Sequence, residues 1–343
     1  LAGGRLSDGS GATDKTVTIT KNVWMDVRGG AFQMIVGANV NSWGTGENRP
    51  FVGDTHVQLI GDTTANLVMG MGPAFGASMT GSSYIYIGEN AQILNGSGGY
   101  LSHMNGNVYG GGYSPDNVSV NFTGDTHITI ANVQTTAGNV FGGSTMKNTA
   151  SALIHGGSTY ITVDLEAGQS GIFAKNIYGG SHIGAEGGGS PNLTINGDGN
   201  ISVTAPADVT FSGVIAGGGL ISGGGSANAQ VNVLGDTHVT IDGGTYNNLV
   251  IGGGHKSGGT GTVSVGGNTN VTIKSGTFSN VIYGGGSGAG ATVAGNTNIV
   301  VTGISSSNRI FGGGNLISVG GNTSVSVSGS ADKRLIIVGG SQL

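Results

Sequence analysis

The sequence predicts an all-β fold, a right-handed parallel β-helix (β-solenoid) of about ten coils, on three observations. A short phrase, Gly-Asp/Asn-Thr-polar followed by aliphatic-x-aliphatic, recurs along the whole chain. A second phrase, a β-branched residue, one variable residue and two or three small residues, closes each recurrence. No segment combines an i, i+3, i+4 apolar stripe with good helix formers, which excludes a helical repeat.

The strand comes first in each unit. Clear copies of its phrase are Gly53-Asp54-Thr55-His56-Val57, Gly124-Asp125-Thr126-His127-Ile128 and Gly267-Asn268-Thr269-Asn270-Val271. The first aliphatic position reads Val17, Val57, Ile85, Ile128, Ile161, Ile201, Val239, Val271, Ile299, Val325. Two residues on, the column reads Ile19, Leu59, Ile87, Ile130, Val163, Val203, Ile241, Ile273, Val301, Val327. All but Leu59 are β-branched, which suits a pleated strand that buries alternate residues. The alternation runs backwards through an inward Thr to a further apolar pair, such as Val231/Val233 or Val263/Val265.

Corners follow. Val108-Tyr109-Gly110-Gly111 and Ile282-Tyr283-Gly284-Gly285 place glycine where backbones must turn and approach closely. The first aliphatic positions recur every 26 to 43 residues. A fixed phrase at variable spacing implies one rung per repeat with loops inserted at corners. The chain is expected to form a single solenoid domain, 1–343, with inserts near 38–50 and 88–107. Both ends fall at the phase of a closing phrase, so the rod is expected to be uncapped at both ends. It would then continue in a parent chain or stack on identical copies.

Composition narrows the classes. Among 343 residues, 73 are glycine and only 8% are charged, yet 36% are hydrophobic and the net charge is −5, so order is favoured over disorder. The absence of cysteine excludes thiol chemistry, disulfides and Cys-ligated zinc. Twelve Lys and Arg spread thinly give no nucleic-acid footprint, and no apolar stretch reaches the ~18–20 residues of a membrane-spanning helix.

The phrases Gly-Asn-Thr-Asn-Val-Thr-Ile (267–273) and Gly-Thr-Phe with Val-Ile-Tyr-Gly-Gly-Gly (276–286) resemble the glycine-rich β-helix passengers of bacterial autotransporter-type surface adhesins. The resemblance covers nearly the whole chain and implies export, a β-helix stalk and attachment at the cell surface or in an extracellular matrix. It transfers no functional residue.

Candidate sites are few. No serine-hydrolase elbow, zinc-protease or phosphate-loop motif is present, and Val263 stands where a calcium-binding nonapeptide needs Asp. Neither a catalytic residue, a metal nor a cofactor is therefore expected. The Asp/Asn column is expected to shape turns. The outward column holding His56, His127 and His238 alternates with Tyr, Asn and Ser, so no two of these histidines share an ion. The variable residue before the closing glycines reads Met69, Tyr109, Phe141, Tyr178, Ile251, Tyr283 and Phe311 among its bulkier members. By alternation it faces away from the core, either as an apolar interface stripe or under the inserted loops. The leading functional expectation is a non-catalytic stalk, adhesin or filament subunit, with further coils, another copy or a host glycan or protein as partner. The rival is a polysaccharide lyase or hydrolase. For a sugar patch the first-coil residues Trp24, Asp26, Arg28, Trp43, Glu47 and Arg49 are the candidates.

Overall fold

The computed structural model describes residues 20–38, 51–72, 78–96, 104–114, 120–132, 138–146, 152–184, 190–223, 228–305, 309–329 and 335–342. Among these there is no α-helix, and the named strand pairs are parallel. The longest sheet has ten strands on its main path, from Val23–Val27 through Thr55–Leu59 and Thr237–Tyr246 to Thr323–Val327. A ten-stranded sheet runs from Ile35–Val36 to Ile336–Val338 and a nine-stranded one from Phe51–Val52 to Ser318–Val319. Short sheets of three and five strands fill the corners. Successive coils thus contribute one strand each to the long walls, one fewer to the nine-stranded wall, which is a parallel β-solenoid.

In-register pairing turns each phrase position into a column. Val57, Ile85, Ile128 and Ile161 stack in one, and Leu59, Ile87, Ile130 and Val163 in the next. These columns are buried and form the central core with Val140, Ile177 and Ile282 from the glycine-corner sheet. The first coil corrects the sequence register. Its strand is Val23–Val27, with Met25 opposite Val57 and Val27 opposite Leu59, while Val17 and Ile19 lie outside the described residues. Lys21-Asn22-Val23 lacks the Gly and Thr of the phrase, so the pattern alone passes over it.

One hydrogen-bond ladder joins coil to coil and a second closes each coil on itself. Side-chain oxygens of Asn22, Asp54, Ser82, Asp125, Ser158, Asp198, Asp236, Asn268 and Asn296 each accept the backbone N–H of the corresponding residue one coil on. The column expected to shape turns therefore also spends an acceptor on the neighbouring rung, and Asp198 does so by accepting the Asp236 backbone N–H at 2.8 Å. Inside, Thr55, Ser83, Thr126, Thr159, Thr237, Thr269 and Thr297 donate to the carbonyl of the first closing glycine of their own coil. Each bond avoids the ~1–3 kcal/mol penalty of an unpaired buried carbonyl. Gly199 interrupts that column. The first closing glycine itself tolerates no side chain: a Cβ on Gly142 would lie 2.4 Å from the Gly179 carbonyl oxygen.

The column before the closing glycines is covered. Met69, Tyr109, Phe141, Tyr178, Ile251, Tyr283 and Phe311 do face away from the central core, yet all are between 0 and 8% exposed. They form a second core with Met104 of the 88–107 insert and with Tyr113 and Leu220 of the five-stranded sheet. The glycine corner turns the chain back across this face, so the apolar stripe is an interior seam and not an interface. Tyr109, Phe141 and Tyr178 stack along it at 5.1 and 5.2 Å, and His182 stacks on Phe141. The Tyr178 hydroxyl lies 3.2 Å from His255 Nδ1.

Candidate binding groove

On the outer face of the longest sheet, the histidine column gives a different geometry from the one its spacing suggests. Register places Trp24, His56, Tyr84, His127 and Tyr160 on five successive rungs of that column. Parallel strands lie ~4.8 Å apart, so side chains at one column position must stack face to face. The ring centroids are 3.6 Å apart for Trp24 and His56 and 4.7 Å for each later pair, with planes within 4° of parallel. Alternation of imidazole with indole or phenol separates the two histidines, so they share no ion. Among the described residues, no group of three or more His, Asp or Glu is placed to hold a metal.

Two residues along each strand stands a parallel row: Asp26, Gln58, Tyr86 and Thr129. Between the two rows lies a groove of about 360 Å³, floored by the backbone at Met25, Val57 and Ile85. Trp24 is 74% exposed, and Tyr84 and Tyr86 are each more than a third exposed. Arg28 Nε sits 2.7 Å from Asp26 Oδ2, so the carboxylate in the groove wall carries its own counter-ion. Desolvation within the stack holds His56 and His127 below the ordinary imidazole range, against the nearby Asp54 and Asp125 carboxylates that pull the other way. Both imidazoles are therefore biased toward the neutral form, able to donate at one nitrogen and accept at the other.

Of the residues expected to form a sugar patch, the structure brings together Trp24, Asp26 and Arg28. Trp43, Glu47 and Arg49 lie outside the described residues. The aromatic ladder continues in register as Asn200, His238, Asn270, Asn298 and Ser324, without further stacked rings among them. There, amides do the bridging: Asn298 Nδ2 donates to Asn270 Oδ1 at 3.2 Å, and Asn200 Nδ2 donates to the Thr159 carbonyl at 3.1 Å. His56–Tyr84–His127–Tyr160 was visible in the sequence as a shared position. Comparing only histidine with histidine, which are never on neighbouring rungs, hides the stack.

Two buried ionisable groups escape the motif search. His155 occupies an inward column position between Phe122 and Ile195, fully buried, and among the described residues its ring nitrogens make no well-formed hydrogen bond, the Ser158 backbone being the polar group beside them. Lys175, 1% exposed, donates from Nζ to the Gly106 carbonyl at 2.6 Å and meets no carboxylate among the described residues.

No protein-family model, curated protein or solved structure matches this chain. Fold and geometry together define a parallel β-solenoid that carries an aromatic-lined groove on one wall.

Proposed function

We propose that this chain is a non-catalytic structural or adhesive element of a bacterial surface or secreted protein, a stiff rod that presents the groove to a receptor. The observation that carries this reading is the distribution of rings. The structural task of the ladder column is met by Asn and Ser on the later rungs, whereas the first five rungs carry rings that open onto solvent. Rings in excess of what stacking requires are what a contact surface needs. The repeated polar residues support the same reading, because the Asp and Asn column is occupied in holding coil to coil and the inward Thr column in closing each coil at its glycine corner. Extracellular location follows from the resemblance of the glycine-rich phrases to surface adhesins. The partners proposed for such a rod, besides a receptor, are further coils of a parent chain or a second copy stacked end to end.

Beads coated with the protein are expected to adhere to host cells or extracellular matrix above an uncoated control. Pectin and alginate incubated with it at high concentration are expected to release no reducing or unsaturated ends. Reproducible release that disappears in Asp26→Asn would overturn this reading in favour of a carbohydrate-active β-helix enzyme.

A further inference from the structure

We infer that the groove between the two rows binds an uncharged, linear glycan lying along the rod axis. This deepens the adhesive reading and rests on it. The first argument is dispensability. Trp24, His56, Tyr84, His127 and Tyr160 occupy a column that Asn270 and Asn298 fill elsewhere through side-chain amide bonding, so the fold does not demand rings at those rungs. The second is periodicity. Each coil presents one ring edge and, across the groove, one polar side chain, and successive rings repeat at 4.7 Å. A surface repeating along one direction at constant step suits a polymer with a short repeat more than a single compact ligand.

Chemistry selects the class of polymer. Stacking consumes the ring faces within the ladder, which leaves edges bearing phenol hydroxyls and imidazole nitrogens. The outermost ring, Trp24, keeps the greatest exposure and can offer an aromatic face. Opposite stand the Gln58 amide and the Tyr86 and Thr129 hydroxyls, each both donor and acceptor. Such walls match a ligand whose surface is dense in hydroxyls and has apolar C–H patches at its ring faces. Charge argues against an acidic polymer, because no described residue that lines the groove is a cation, Arg28 beside it is already paired with Asp26, and the chain carries a net charge of −5. It argues equally against a cationic one, since that same pairing neutralises the carboxylate.

The test is isothermal titration of the full chain with cellohexaose, laminarihexaose, mannohexaose and chitohexaose, with hexagalacturonate as the acidic control. At least one neutral oligomer is expected to bind, and to lose at least tenfold in affinity when shortened to the disaccharide. Trp24→Ala and Tyr86→Ser are each expected to weaken that binding at least tenfold with an unchanged circular-dichroism spectrum. Asn298→Ala, on a ring-free rung, is expected to leave it unchanged. Failure of all four neutral oligomers to bind, tighter binding of hexagalacturonate, or indifference to both groove variants would overturn the inference. Bead adhesion that persists after such a failure would leave the adhesive reading standing with a protein receptor, whereas loss of both would remove the two together.

Discussion

Replacing Lys175 by methionine is expected to stabilise the protein at pH 7 and to flatten its stability between pH 7 and 9.5. Burial pushes the Lys175 amine down to about 7, because the Gly106 carbonyl hydrogen bond does not replace the water it has lost. The unfolded chain holds that proton up to ~10.4. The folded value is the lower one, so the stability associated with this group is complete above the unfolded value. It falls as pH drops toward 7, because the unfolded state binds the proton first. At ~1.4 kcal/mol for each unit of difference, the deficit at pH 7, where the folded amine is itself half-protonated, is about 4 kcal/mol. Methionine keeps most of the volume and removes the amine, leaving the Gly106 carbonyl unpaired at ~1–3 kcal/mol. A net gain of about 1–3 kcal/mol at pH 7 follows from these two magnitudes. Urea unfolding of both proteins at pH 7 and 9.5 measures it. The comparison stops there because buried Tyr109, Tyr178 and Tyr246, whose hydroxyls burial pushes well up, oppose folding once the unfolded chain ionises them. Equal pH slopes in the two proteins would show that Lys175 is solvated.

His155 should act in the acid range. Desolvation lowers its imidazole to about 4, only partly offset by the Ser158 backbone and the Asp125 charge. The unfolded value is ~6.5. Stability tied to His155 is therefore present above pH 6.5 and is lost as pH falls to about 4, a total near 3 kcal/mol. His155→Leu, which fills the column position as Ile195 does one coil on, should lack that loss. The difference in unfolding free energy between variant and parent, followed from pH 7 to pH 4, isolates this group from the other histidines. A difference that stays constant across that range would mean that the imidazole finds a partner on protonation.

Most of the fold was legible because in-register stacking makes one rung stand for all. Val57, Ile128 and Val239 alternate with polar residues and precede glycine corners, and that pattern alone places them inward. The first rung was not legible, because Asn22 keeps the acceptor role of the phrase while Val23 replaces its inward Thr and Lys21 its Gly. The covered seam was legible by half. Alternation puts Tyr109 and Phe141 outside the central core, but whether a strand returns over them depends on where the chain goes after the glycines. His155 and Lys175 could have been found by the same period, since they lie two residues from inward Leu153 and Ile177. Searching for motifs draws attention to clusters of polar residues and passes over a single one inside a column. The groove required two columns to be read together, across rungs and along a strand, which a repeat alignment does not do.

The central claim is that rings on the first five rungs serve contact and not folding, and the triple variant Tyr84→Asn, His127→Asn, Tyr160→Asn tests it most directly. The account predicts an unfolding free energy within about 1 kcal/mol of the parent, as for exposed substitutions that leave the ladder bridged by amides. A loss of several kcal/mol in urea unfolding, or failure of the variant to fold, would contradict it and make the aromatic stack a structural spine.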